Sequence, residues 1–121
     1  MVHTRQQGSN WESAAERFLR RRGLQTVQRN YHGRFGEIDL VMLDGNTLVF
    51  VEVRYRASDR YGGGAASVTP VKQRRIILAA RRFLQREKQH ASRPCRFDVV
   101  AIGRENGRNT MKWIRQAFDA G

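Results

Sequence analysis

The sequence predicts an α/β fold, a mixed central sheet flanked by helices, and three observations carry that prediction. Two stretches repeat apolar residues at helical spacing, and a tight-turn tripeptide joins two β-branched segments. The second helical stretch lies between two strands, where it can serve as the crossover that a parallel pair requires. With 121 residues, 40% of them hydrophobic, the chain suits one domain around one modest core. Leu, Ile, Val and Phe contribute 28 residues, above the range in which chains usually stay disordered.

Residues 1–9 are polar and are expected to form a flexible lead-in to a single domain spanning residues 10–121. Ser9 or Asn10 can accept a hydrogen bond from the first free N–H groups of a helix. Trp11, Ala14, Ala15, Phe18 and Leu19 then form one apolar stripe, with Arg17, Arg20 and Arg21 facing solvent and Gly23 as the stop. Leu24 to Tyr31 alternates as a first strand, and Gly33 separates it from the next segment. Glu37–Leu43 and Thr47–Arg56 flank Asp44-Gly45-Asn46, a hairpin in which Asp-Gly supplies the positive φ angles of a tight turn. Ala57 to Ser67, with Gly62-Gly63-Gly64, has no periodicity and is expected to be a loop beside the open end of that hairpin.

Thr69-Pro70 is an N-cap followed by proline at the first helical position. Ile76, Ile77, Ala80, Phe83 and Leu84 give that second helix its buried face, and it should end near Gln89. Arg96 to Ile102 reads as a buried strand, Asn106-Gly107 as a turn, and Thr110 to Arg115 as a shorter strand.

Composition narrows the function. Apolar runs such as Leu48 to Val51 are far too short to span a bilayer, and the polar N-terminus lacks a signal-peptide core, so a cytoplasmic protein without a membrane partner is expected. Cys95 is the only cysteine, and His3, His32 and His90 are scattered, which disfavours disulfide, thiolate-zinc and redox chemistry. The 23 Lys+Arg against 11 Asp+Glu leave a formal charge of +12, the electrostatic footprint of a nucleic-acid binder. That surplus leans toward the second half: residues 1–56 hold 9 basic and 6 acidic side chains, residues 57–121 hold 14 and 5.

Two acids in the first half demand an explanation. Asp39 and Glu52 lie mid-strand among apolar neighbours on the two arms of the hairpin, where a lone carboxylate pays for desolvation unless it is paired, protonated or bound to a cation. A period of two places Asp39 with Glu37 and Val41 on one face, and Glu52 with Phe50 and Arg54 on one face, so both carboxylates can point into one region. Oxygen donors of this kind suit Mg²⁺ or Mn²⁺, which hold substrate phosphates and activate water, and the corresponding reaction is phosphodiester hydrolysis. The alternative is that both acids are neutralised by Arg34, Arg54 or Arg56.

Four phrases, Arg29-Asn30-Tyr31, Gly36-Glu37-Ile38-Asp39-Leu40, Phe50-Val51-Glu52-Val53-Arg54 and Arg96-Phe97-Asp98-Val99-Val100, resemble the bacterial YraN family from about Asn10 to the last strand. That family in turn is similar to the restriction-endonuclease-like superfamily, especially archaeal Holliday-junction resolvases, with an αβββαβ core and a D…ExK site. The resemblance implies Asp39 and Glu52 as metal-binding carboxylates, Glu12 as a third ligand, the Val53 carbonyl as a further one, and Glu37 as an ion-pairing neighbour. It implies a homodimer as well. Arg54 stands where the pattern has lysine; arginine stays charged and cannot act as a general base, though it can steady phosphate charge. Lys72 is placed to supply an ammonium from another direction or to touch DNA.

Arg56, Arg60, Lys72, Arg74 and Arg75 are the expected phosphate contacts, and Tyr55 and Tyr61 the aromatic platforms for unpaired bases if exposed. No sequence-reading motif is present, so shape recognition of branched or single-stranded DNA is expected. The expected activity is a Mg²⁺- or Mn²⁺-dependent endonuclease with Asp39, Glu52 and Arg54 in catalytic roles. The alternatives are a DNA-binding module whose site has decayed at Arg54, and a basic RNA-binding structural protein.

Overall fold

The computed structural model describes residues 2–55 and 68–120, with side chains described from Asn10 onward. In chain order the elements are α1 (Val2–Arg21), β1 (Gln25–His32), β2 (Glu37–Asp44), β3 (Thr47–Tyr55), α2 (Pro70–Arg86), β4 (Cys95–Glu105) and β5 (Arg108–Phe118). The five strands form one mixed sheet in sequence order. β3 and β4 are parallel and joined through α2, whereas the other neighbours are antiparallel. This is the α/β architecture the sequence predicts.

Local chemistry explains the boundaries. Gly23 sits at φ 98°, and its N–H reaches the Arg20 carbonyl while Leu24 N–H reaches that of Leu19, a Schellman ending that satisfies carbonyls orphaned at the end of α1. Asp44 pairs with Thr47 around Gly45 at φ 61°. Thr69 caps α2 by accepting the Lys72 N–H at 3.1 Å, with Pro70 at the first turn.

Several expected boundaries shift, among them the end of β4, at Glu105 instead of Ile102. α1 begins at Val2 rather than at Ser9 or Asn10: no proline interrupts the preceding residues, and Gly8 costs a helix only about 1 kcal/mol. α2 ends at Arg86, short of Gln89, and a 3₁₀ turn occupies Lys88–His90. β5 runs from Arg108 to Phe118, past both ends of the Thr110–Arg115 segment, because pairing with β4 supplies the order that its alternation alone does not announce. The Ala57–Ser67 segment lies outside the described residues.

Each face of the sheet carries a core. α2 packs Ile76, Ala79, Ala80 and Phe83 against Val41, Leu48, Phe50, Phe97 and Val99. α1 packs Ala15 and Leu19 against Leu40, Met42, Val49, Val51, Val100 and Ile102. β2 and β3 are therefore covered on both sides. Any polar side chain in their middle needs a partner there.

Candidate active site

The hairpin register brings the two predicted acids together. The β2–β3 ladder ends at Leu40 opposite Val51, one step before Asp39 and Glu52. Beyond that point Val53 gives its backbone N–H to Asp39 Oδ2 at 2.8 Å, so a carboxylate takes the place of a carbonyl partner. Glu52, 4% exposed, shares a hydrogen bond with Asp39. Glu12 reaches the same carboxyl from α1 and is itself bound by the Asn30 side chain. Acids from α1, β2 and β3 thus converge on Asp39.

Among the described residues, their charges are not fully compensated. Burial, then the neighbouring Asp39 charge, pushes Glu52 up from 4.5 to about 8, with Lys72 pulling the other way. Burial, then Asp39 and Glu37, raises Glu12 from 4.5 to about 7. Burial raises Asp39 despite the Val53 N–H. A trio of acids that prefers to hold protons is one that a cation would relieve.

Among the described residues, two cationic side chains approach from the Glu52 side. Lys72 Nζ lies 3.1 Å from Glu52 Oε2, and Arg54 lies at 3.7 Å from the same oxygen. The ammonium thus comes from α2 instead of the strand position that Arg54 occupies. Of the guanidinium partners weighed from sequence, Arg54 is near Glu52, Arg34 sits over the Phe35 ring, and Arg56 lies outside the described residues.

Among the described residues, no three His, Cys, Asp or Glu groups form a metal cage. The donors do fit an open site for a hard cation: Mg²⁺ and Mn²⁺ accept carboxylate oxygens, keep several waters and need few protein ligands. Asp39 and Glu52 would hold such an ion, with Glu12 beside them. The described Val53 contact is through its N–H.

The remaining sequence candidates fall in three places. Arg74 and Arg75 lie exposed on the first turns of α2. Arg60 and Tyr61 fall outside the described residues. Glu37 pairs with His32 at 3.1 Å, as an ion-pairing neighbour should. Tyr55 is exposed, with one face of its ring stacked on Trp11 at 4.6 Å and 6°, tying α1 to the end of β3.

Two residues were not legible as site components. Asn30, at φ 51°, faces the Asp39 position within β1 and binds Glu12. Asparagine tolerates that conformation better than most residues, and the only sequence signal was its place in the Arg29-Asn30-Tyr31 phrase. Phe35 is 52% exposed, and nothing in its spacing marked it.

Residues 11–102 match the family model described as "Uncharacterised protein family UPF0102". A UPF0102 protein of Nitrosococcus oceani is 50% identical over 114 residues, covering 94% of this chain and 92% of that protein. One from Aeromonas hydrophila is 53% identical, covering 92% and 83% respectively. One from Nitrosomonas eutropha is 46% identical over the whole of both chains.

Proposed function

The chain belongs to the UPF0102 family, the YraN group that its sequence resembles, and we propose that it is a divalent-metal-dependent endonuclease acting on DNA. One observation carries the reading: carboxyls from α1, β2 and β3 meet at buried Asp39, and among the described residues the bases near them, Lys72 and Arg54, lie against Glu52. In support, the order α1-β1-β2-β3-α2-β4 matches the αβββαβ core of restriction-endonuclease-like proteins, with β5 added. The acids occupy β2 and β3, as in the D…ExK pattern.

In this reading Asp39 and Glu52 would hold Mg²⁺ or Mn²⁺ through their oxygens, with Glu12 of α1 beside them. Such an ion, when bound, would lower the pKa of a water and offset charge on the phosphate. Water oxygen bonds to phosphorus as one P–O ester bond breaks, and the departing oxygen takes up a proton. Lys72 and Arg54 face the Glu52 side and steady the phosphate charge. Val53 N–H fixes Asp39, so the carboxylate needs no reorientation.

The test is cleavage of linear, single-stranded and four-way-junction DNA with and without Mn²⁺. Asp39→Asn and Glu52→Gln should each reduce cleavage by at least about 10- to 100-fold, the loss that even an outer-shell partner of a metal brings. Equal cleavage by wild type and both variants overturns the assignment.

Arg54 favours a second reading, a DNA-binding module whose turnover has been lost. Absent cleavage by wild type and gain of cleavage by Arg54→Lys would select it. Salt-dependent DNA affinity is expected under both readings.

A further inference from the structure

Between the β1–β2 turn and α2 lies a groove of about 530 Å³, lined by Arg34, Phe35, Gly36 and Arg75 with the His32–Glu37 pair alongside. Its volume falls within the roughly 300–1,000 Å³ of small-ligand sites. Phe35, at 52%, is the most exposed large apolar side chain among the described residues. Fold stability does not explain this, since burying a phenyl ring is worth about 1.5–3 kcal/mol. The other exposed aromatic, Tyr55, is covered on one face by Trp11. Among the described residues, Phe35 has the Arg34 guanidinium as its cationic neighbour, 5.7 Å from the ring centroid.

The two walls are held together. Gly33 N–H reaches the Gly36 carbonyl at 2.8 Å, closing the turn. A Cβ on Gly36 would lie 3.0 Å from the Arg75 carbonyl oxygen, so a larger residue would push the turn and α2 apart by a few tenths of an ångström. The groove also adjoins the acids. Arg75 is three residues after Lys72 on one face of α2, and Lys72 contacts Glu52; Glu37 is two residues before Asp39.

We propose that this groove binds one unpaired nucleotide of a DNA strand beside the phosphate held at the carboxylate site. The base stacks on Phe35, and its backbone phosphate pairs with Arg34 and Arg75. Guanidinium groups match phosphate geometry, and an aromatic ring holds any base by its face without reading sequence. Glu37 is the one carboxylate on the lining, and His32 pairs with it. A base inside a duplex is already stacked and paired, so the groove selects single strands, frayed ends and junctions. The inference rests on the nuclease reading only for the role of its neighbour; the groove itself is testable without turnover.

The experiment uses the whole protein in EDTA, with labelled oligo(dT), a blunt duplex and an abasic strand followed by fluorescence anisotropy. Phe35→Ala should weaken oligo(dT) binding by about 5- to 100-fold and leave duplex binding unchanged, with Phe35→Trp restoring affinity. The abasic strand should bind wild type as weakly as oligo(dT) binds Phe35→Ala. Because Phe35 is exposed, the variant should melt with wild type. Unchanged oligo(dT) binding, equal losses on strand and duplex, indifference to the missing bases, or tighter binding of oligo(rU) each overturns the proposal. Cleavage in Mn²⁺ scores the nuclease reading separately: base-selective binding without cleavage sinks that reading alone, and cleavage without base selectivity sinks the groove alone.

Discussion

Asp98 and Glu52 are buried carboxylates on adjacent parallel strands, with Asp98 aligned to Val51 and Val99 to Glu52, yet their surroundings differ in kind. Asp98, with no exposed surface, receives two nitrogens of Arg96, the Trp113 indole N–H at 2.9 Å and the Gln116 backbone N–H at 3.0 Å. Gln116 adopts φ 51°, and the β4–β5 register shifts between Phe97 and Val99, so the sheet bends to complete this shell. Around Glu52, the acid Asp39 stands beside Lys72 and Arg54. Donors alone surround the first carboxylate, whereas a second acid shares the setting of the other, and under the proposed function that difference separates a carboxylate that builds the fold from one that would hold a metal ion.

The largest expected effect breaks the completed shell. Asp98→Ala leaves Arg96, 18% exposed, with only Asp44 for a partner, and should cost about 3–5 kcal/mol in urea unfolding. Asp39→Asn should cost little, because it removes charge from a crowded cluster. Comparable losses in both variants would erase the distinction between the sites. A smaller effect tests the cation directly: Mn²⁺ at 100 times its Kd should stabilise wild type by about 2.7 kcal/mol and leave Glu52→Gln unmoved. Equal stabilisation of the two proteins would place the ion elsewhere.

How much of this contrast the sequence revealed depended on whether a feature is local. The Asp44-Gly45 turn, the Thr69-Pro70 cap and both helix stripes follow from neighbours along the chain, and all three are found. The pairing of Asp39 with Glu52 follows from strand alternation plus a two-armed hairpin, so it was legible too. Lys72 was visible as a cation, but its choice of Glu52 depends on how α2 crosses the sheet. Asn30 and Phe35 gain their settings from β1 and its turn meeting α1 and α2, which no spacing rule encodes. The sequence phrase containing Asp98 looked much like those containing Asp39 and Glu52; only the donors from β5 separate them.

pH sharpens the comparison at the next scale. Glu52 titrates near 4.5 when unfolded and about 8 when folded, so the folded state binds the extra proton between those values. Its favourable contribution is complete below 4.5 and is lost as pH rises toward and through 8, and Glu12, raised to about 7, acts in the same direction. Metal-free wild type should therefore melt at progressively lower temperature from pH 5 to pH 9, and Glu52→Gln should flatten that slope and melt higher than wild type at pH 9. A variant as steeply pH-dependent as wild type would mean that Glu52 is already neutralised in the fold.

Glu16 supplies an intermediate case and the smallest effect. It lies on α1, one turn from Glu12, and is nearly buried, but Arg29 grips both of its oxygens, at 2.8 and 2.7 Å, and Thr26 donates to it from β1. Burial alone would raise its carboxyl, but the Arg29 and Thr26 hydrogen bonds outweigh that and hold it below 4.5. The sign is opposite to that of Glu52: this stabilisation is present above 4.5 and fades as pH falls through the lowered folded value. Glu16→Gln should cost about 1 kcal/mol at neutral pH, since Arg29 is largely solvated, and the cost should shrink in acid. Two acids a turn apart on one helix would then respond to pH in opposite senses, because one meets donors and the other meets acids. A cost that grows in acid would assign Glu16 to the undercompensated cluster and dissolve the boundary between them.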